Sequence, residues 1–566
     1  MSKHARDVRI IHAERFAPEL EQNLGILDQR AVVRRIWARD GTVWKAEDRG
    51  ISDRLGWLDS PAAAAKILPD IQAFVASIRG LGLRRAVVLG MGGSSLAPEV
   101  YASLFGLEPG ALDLDVLDTT EPETVAAAAA RLAPNKTLYL VSSKSGTTAE
   151  VAALLAFFYD RAGRALGAGH AGSRFVAITD PGTPLEALAR ELRFRQTFLG
   201  QPDVGGRFSA LSVFGLLPAA LAGVDLDRLL VPGLATAEAC RIERAAENPG
   251  ALLGAVLGTA ALKGMDKLSL LLPRRLKSLA GWLEQLIAES TGKEGRGIVP
   301  VVEDRPGPAE SYGSDRLFVG IGAPEEPDPK AAAHAPEGLA SPLVRFGFDD
   351  PYEVAGHFFL WEFATAVAGH ILGINPFDQP DVESTKKKTR EVLASGGPAG
   401  PGASDRPLGA GMLRVAGPGG PEDPAVAGPN FLRDNREGDY IALLAFLPRR
   451  RAIEDLLSGL ATGLRLKTGL PVTVGFGPRY LHSTGQLHKG DGNKGLFLML
   501  VPAALKDVGI PAVPGIARPA ESFAALFLAQ ARGDGMALTE KGRRVLTIEL
   551  GSPLETALGR LASLLG

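Results

Sequence analysis

The feature that most constrains this chain is an alternation. Short apolar runs, AVVLG at 86–90, TLYLVSS at 137–143 and RFVAITD at 174–180, are separated by helical segments long enough to cross back over a sheet. Strands buried on both faces read as unbroken apolar runs, and parallel neighbours need a crossover of about a dozen residues or more. The pattern therefore predicts an α/β fold: a doubly wound parallel sheet with helices on both faces, in three layers. It restarts with LSLLLP (268–273), a helix around Trp282, RLFVGIG (316–322) and VRFGF (344–348), so two such units stand in tandem.

The flanking segments differ. Residues 1–82 read as a mostly helical N-terminal segment, including PAAAAKILPDIQAFVASIRG. Residues 396–430 hold ten glycines and seven prolines, a composition that buries little and reads as a linker or surface excursion. Beyond it, YIALLAFLP (440–448), a helix through about Lys467, PVTVGFG (471–477) and GLFLMLVP (495–502) resume the α/β pattern. The expected division is thus 1–82, a first unit at 83–235, a second at 236–395, an excursion at 396–436, and a C-terminal segment at 437–566.

Size and charge narrow the function. At 566 residues the chain exceeds the roughly 250–300 at which one core stops growing. Lysine plus arginine (62) nearly balance aspartate plus glutamate (64), so no basic field favours nucleic acid, and anion recognition must be local. Cys240 is the single cysteine, and no Cys/His cluster has metal-ligand spacing, so neither metal nor cofactor is expected. The N-terminus lacks an apolar run of export-signal length, so a cytoplasmic chain is expected. Val354–Ile374 imitates a membrane span, but Glu362, His357 and His370 within it favour a buried helix and no membrane role.

Two strand ends run into loops suited to phosphate. AVVLG leads into MGGSSLAPEV (91–100) and TLYLV into SSKSGTTAE (142–150), where glycines admit close approach and hydroxyls sit at helix starts. In neither loop is there GxGxxG or GxxxxGK[ST] spacing, so a phosphomonoester suits them better than a dinucleotide or nucleoside triphosphate. A carboxylate accompanies them. In GWLEQLIAESTGK (281–293), Trp282, Leu283, Leu286 and Ile287 form a buried face, and Gln285 projects one turn before Glu289. A half-buried glutamate beside a polar neighbour suits proton abstraction near neutral pH.

The segments VLGMGGSSLAPEV, VSSKSGTTAE, DVGGRFSALSVFGLLP (203–218), WLEQLIAESTGK and GINPFDQPDVESTKKKT (373–389) together resemble the phosphoglucose isomerase family, in order and separation, over roughly residues 35–390. The resemblance is closest to the isomerase half of bacterial transaldolase–phosphoglucose isomerase fusions, with no room here for a transaldolase barrel. It implies two tandem sugar-isomerase (SIS) domains, interconversion of glucose 6-phosphate and fructose 6-phosphate through ring opening and a cis-enediol, and a homodimer. It makes Glu289 the base between C1 and C2, Arg207 the cation facing the enediolate, and Lys386 an aid to ring opening. Gln285 and Gln379 would hold sugar hydroxyls, with Gly93 and Ser94 on the sugar side. Ser143, Lys144, Ser145 and Thr148 would take the phosphate. Dual phosphoglucose/phosphomannose activity and a non-catalytic phosphosugar-binding SIS module are the alternatives.

One family element is displaced. A ring-opening histidine in a motif resembling HSxGQ normally lies between the glutamate and lysine segments, where this chain offers His334, His357 and His370, none of them in such a motif. The motif instead stands in RYLHSTGQLHKG (479–490), so His482, 193 residues after Glu289, is expected to reach the site by folding back of the tail. His357, His370 and His488 are its competitors.

Overall fold

A computed structural model describes residues 6–106, 108–303, 306–322, 336, 338–395, 408–416 and 423–566. His334 and most of the glycine- and proline-rich stretch lie outside them.

The described residues form fifteen strands. In chain order these are β1 (Arg9–Ile11), β2 (Arg85–Gly90), β3 (Asp113–Leu117), β4 (Thr137–Ser142), β5 (Phe175–Thr179), β6 (Gln196–Leu199), β7 (Lys267–Leu271), β8 (Val299–Val302), β9 (Arg316–Ile321), β10 (Leu343–Phe346), β11 (Leu413–Ala416), β12 (Tyr440–Ala445), β13 (Val472–Phe476), β14 (Gly495–Pro502) and β15 (Arg544–Leu550). They build three five-stranded sheets.

The first sheet, β3-β2-β4-β5-β6, is parallel throughout, and β4 and β5 are buried along their whole length. The second, β1-β10-β9-β7-β8, is parallel except for β1 at its edge, where three residues of the expected helical N-terminal segment pair antiparallel with β10. Both have the strand order of doubly wound sheets. Between them the helix Val354–Leu372 is buried along almost its entire length, with Glu362 fully enclosed and held well above the usual carboxylate range by desolvation. Its close approach to the helix Pro249–Leu262 depends on a glycine stripe: a Cβ on Gly254 would sit 2.5 Å from the Ala364 carbonyl, and one on Gly258 2.8 Å from Ile371. No helix of the described residues is long and apolar enough to cross a membrane.

The C-terminal segment departs from expectation. Patterning assigned 437–566 to completion of the second unit, but its four strands, joined by β11 from the expected excursion, hydrogen-bond one another in a third sheet, β11-β15-β14-β12-β13. It is joined to the rest by polar contacts such as Arg465 with Glu303 and Lys494 with Asp266, and by side-chain packing. Tyr440, Ala442, Phe497 and Met499 share a cluster with Ala288, Val299 and Val301, while Ile510, Ile516, Phe523 and Leu526 pack into the core of the first sheet. Within the glycine- and proline-rich stretch, β11 pairs along β15, and the helix Pro424–Arg433 starts at Asp423, whose carboxylate accepts from the Ala425 N–H. Proline at a first helical turn loses no intrahelical bond, so that composition is compatible with order there.

Candidate active site

The site is assembled where the two expected loops leave neighbouring strands. β2 and β4 are paired up to Gly90 and Ser142, so the turns that follow them emerge side by side. After β2, Gly92–Ser94 makes a short 3-10 turn into the helix Leu96–Phe105. Gly92 has a φ of 55°, and Cβ atoms at this pair would collide with everything brought together here. One on Gly92 would meet Gln285 Nε2 at 2.7 Å and the His482 carbonyl at 3.0 Å; one on Gly93 would lie 1.9 Å from the Gly206 carbonyl. The glycine pair is therefore the point at which the GGRF loop, the Glu289 helix and the His482 turn converge.

After β4, Ser143 Oγ and Thr148 Oγ1 lie 3.0 Å apart, Ser145 Oγ and Thr147 Oγ1 3.1 Å apart, and Thr148 caps the helix Ala149–Leu166. Hydroxyls thus cluster at the start, and so at the positive end, of an 18-residue helix. Lys144 is directed elsewhere. Its ammonium bonds Asp180 at 2.5 Å and the Gln201 carbonyl at 2.9 Å, and desolvation lowers its pKa despite that partner.

The helix Lys277–Thr291 delivers Glu289 and Gln285. Glu289 is mostly enclosed, its Oε1 lies 3.2 Å from Arg207 Nη1, and its Oε2 accepts from Gln285 Nε2 at 3.1 Å. Gln285 Nε2 also donates to the His482 carbonyl at 2.7 Å, while its Oε1 is buried without a protein partner. Arg207, itself buried, is clamped in place: Nε to Ser290 Oγ at 2.7 Å, Nη1 to Gln379 Oε1 at 3.1 Å, and Nη2 to the carbonyls of Pro376 and Asp378 at 2.6 and 3.0 Å. Lys293 holds the same loop, donating to the Asp378 carbonyl at 2.5 Å and its carboxylate at 2.8 Å; burial, with Arg207 adding to it, brings its pKa down to about 8.

His482 does arrive from the far end of the chain. It ends a 3-10 turn, Arg479–His482, directly after β13, and its Nε2 lies 2.9 Å from Glu150 Oε1. Burial alone would lower the imidazole, but the charge and hydrogen bond of Glu150 outweigh it and leave the pKa raised. Lys386 is near enough for its charge to act on both His482 and Glu150, although it is half exposed and pairs with Glu383 at 2.7 Å. The competing histidines are not here. His357 lies among Phe346 and Phe348, His370 Nδ1 meets the Val43 carbonyl, and His488 is packed beside Tyr440, Tyr480 and Phe497, with burial pushing its pKa far down.

Thus Glu289, Arg207, Gln285, Gln379, Gly93, Ser94 and His482 converge, the hydroxyl loop opens beside them, and Lys386 stands at the margin. Sequence reasoning missed Glu150, Ser290, Lys293 and Gln530. Glu150 and Lys293 stood inside recognised motifs, but a first-turn glutamate reads as ordinary complement to a helix dipole and a lysine after a helix end as a solvated charge.

Two neighbouring helix-start loops on a doubly wound sheet, faced by a buried glutamate–arginine pair, are the arrangement of a phosphosugar isomerase of the SIS fold. The phosphoglucose isomerase family model matches residues 72–303. The glucose-6-phosphate isomerase of Carboxydothermus hydrogenoformans is 30% identical over 405 residues, covering 61% of this chain and 86% of the relative, and one from Thermus thermophilus is 30% identical over 390, covering 60% and 90%. A solved hypothetical protein of Thermus thermophilus superposes with a TM-score of 0.57 at 28% identity, covering 68% of this chain and all of that one. The solved glucose-6-phosphate isomerase of Chlamydia trachomatis gives 0.54 at 19%, covering 66% and 86%, a likeness of fold. The chain belongs to the phosphoglucose isomerase family.

Proposed function

We infer that this protein is a glucose-6-phosphate isomerase, interconverting glucose 6-phosphate and fructose 6-phosphate, and that the residues above carry the reaction. The observation that supports the role assignment most directly is the Glu289–Arg207 pair, buried and joined through Gln285 to the His482 turn. A phosphosugar-binding module would need the hydroxyl loop but not this constellation.

In the proposed mechanism the phosphate sits against Ser143, Ser145, Thr147 and Thr148 and the first-turn N–H groups, which positions the remote carbons for reaction. Lys144 contributes indirectly, by tying its loop to Asp180. His482, oriented by Glu150, delivers a proton to the ring oxygen as the bond from that oxygen to the anomeric carbon breaks, and the anomeric hydroxyl gives up its proton to solvent to become the carbonyl, with Lys386 nearby. Glu289 then removes the proton from C2 and returns it to C1. The oxygen that gains negative charge in the cis-enediolate faces the Arg207 guanidinium, whose five bonds hold it in place before the charge appears. The unpartnered Gln285 Oε1 and the Gln379 amide accept and donate to sugar hydroxyls. Family resemblance further suggests a homodimer in the cytoplasm.

The test is a coupled assay from fructose 6-phosphate, with mannose 6-phosphate as a competing product. Formation of glucose 6-phosphate that disappears in Glu289→Gln supports the reading; wild-type protein that binds fructose 6-phosphate without turnover makes it a binding module instead.

A further inference from the structure

Glu150 has a second partner, and it comes from farther away than His482. Gln530 lies on the helix Phe523–Glu540, where its Nε2 donates to Glu150 Oε1 at 2.7 Å. Its Oε1 accepts from Thr120 Oγ1, also at 2.7 Å, in the turn that follows β3. All three side chains are buried: Thr120 is 0%, Gln530 4% and Glu150 5% exposed.

The orientation of that amide is forced. An ionised carboxylate only accepts, so Gln530 must turn its NH2 toward Glu150, which leaves its oxygen for Thr120 and obliges that hydroxyl to donate. The result is a directed chain, Thr120 to Gln530 to Glu150, ending on the same carboxylate oxygen that holds His482 Nε2. A carboxylate fixed by two donors on one oxygen has little freedom to rotate away from its imidazole. With Nε2 so engaged, Nδ1 is the ring nitrogen left for substrate.

We infer that Gln530 is a positioning residue of the isomerase reaction, acting through Glu150 to set the orientation and the proton affinity of His482. This rests on the reading of His482 as the ring-opening group. It gives the C-terminal unit a second contribution to the site besides the histidine itself. The groups that set the charge at His482 are Glu150 on the helix Ala149–Leu166, Lys386 on the helix Val382–Ala394 and Glu289 on the helix Lys277–Thr291. Only the first is touched by Gln530.

The experiment compares Gln530→Leu and Thr120→Val with the full-length wild type. Three readouts are taken: turnover of fructose 6-phosphate across pH, KM, and affinity for an acyclic five-carbon sugar-acid phosphate that binds without ring opening. For Gln530→Leu, kcat should fall about 10- to 100-fold, the scale of a misplaced catalytic group. The pH limb assigned to His482 should move to lower pH, because the carboxylate that raises the imidazole is no longer held against it. KM and the affinity for the acyclic compound should stay within about twofold of wild type, since neither depends on ring opening. Thr120→Val, which loosens the amide without removing it, should move kcat and the pH limb in the same direction by less.

An unchanged kcat and pH profile in Gln530→Leu overturns the inference. So does a loss shared equally by kcat and the acyclic ligand with no shift of the limb, which is the mark of a merely structural residue. Should Gln530→Leu not fold, Thr120→Val decides by the same criteria. His482→Asn separates the two readings. If it is inactive while Gln530→Leu is normal, only this inference fails; if it is fully active, the assignment of His482 fails first.

Discussion

One helix, Lys277–Thr291, carries two half-buried glutamates five residues apart, about 140° around its axis from one another, and their surroundings are opposite. Glu289 faces a fixed guanidinium and an amide. Glu284 faces a cavity of about 380 Å³ between this helix, the helix Leu96–Phe105 and the third sheet. The nearest cations there, Arg479 and Arg449, are already held by Glu99, and Arg479 also by Asp118 at 3.0 Å. Burial consequently pushes Glu284 up to about 7 against the pull of those arginines, whereas with both of them as partners Glu99 is lowered to about 2. Burial alone does not make a carboxylate useful. What distinguishes Glu289 is a preset partner, the Arg207 guanidinium, which in the proposed mechanism meets a charge that appears during the reaction.

The contrast can be broken at four points. Glu289→Gln should give the largest effect, a loss of about 10²–10⁴ in kcat with KM changed only a few-fold, because only proton transfer is removed; steady-state kinetics in both directions check it, and near-normal turnover would end the role of Glu289 as base. Arg207→Met should cost about 10²–10³ in kcat, with Arg207→Lys recovering little, since one ammonium cannot reproduce a fork bonded to Ser290, Gln379 and two carbonyls. Ser145→Ala combined with Thr148→Ala should raise KM for phosphorylated sugars about 100-fold, the scale of two hydrogen bonds to a charged group at about 1.5 kcal/mol each, with kcat little altered; titration with inorganic phosphate as a competing ligand reads the same loss, and unchanged affinity would refute the cradle.

Glu284→Gln should be the smallest effect and of opposite sign. The folded-state pKa is raised above the unfolded value, so unfolding releases protons and the stability of the native protein declines as pH climbs from about 4.5 to about 7. Replacing the acid removes that penalty. The variant should be more stable by about 1–2 kcal/mol at pH 8, discounted because the carboxyl opens onto the cavity, and indistinguishable from wild type near pH 4. Thermal unfolding at the two pH values measures it, while kcat stays at the wild-type level.

How far the sequence could be read differs in the same way between regions. The central strands were evident because both faces are buried: AVVLG, TLYLVSS and RFVAITD coincide within a residue with β2, β4 and β5. Among the edge strands only β13 was, as PVTVGFG. β3 is DLDVL and β6 is QTFL, half-exposed and carrying charged or polar residues, and β1 and β11 are three and four residues long. At the site, the proposed residues lie in contiguous motifs that local reading finds, and the structure brings them together, His482 included despite its displacement. Its support could not, since Glu150 is 332 residues from His482 and 380 from Gln530, and nothing in local periodicity encodes such a meeting. Nor did the motif show that Lys144 would turn from the phosphate loop to Asp180.

Those separations also bear on how the protein comes to be active. Closing a contact across more than 300 residues loses chain entropy before any of its reward is collected, so the docking of the Arg479–His482 turn and of Gln530 against Glu150 belongs late on the folding route. The first sheet draws its neighbours from nearby sequence and is free to form earlier. After dilution from denaturant, secondary structure should therefore return ahead of catalysis, and the lag between them would time the docking of the C-terminal unit.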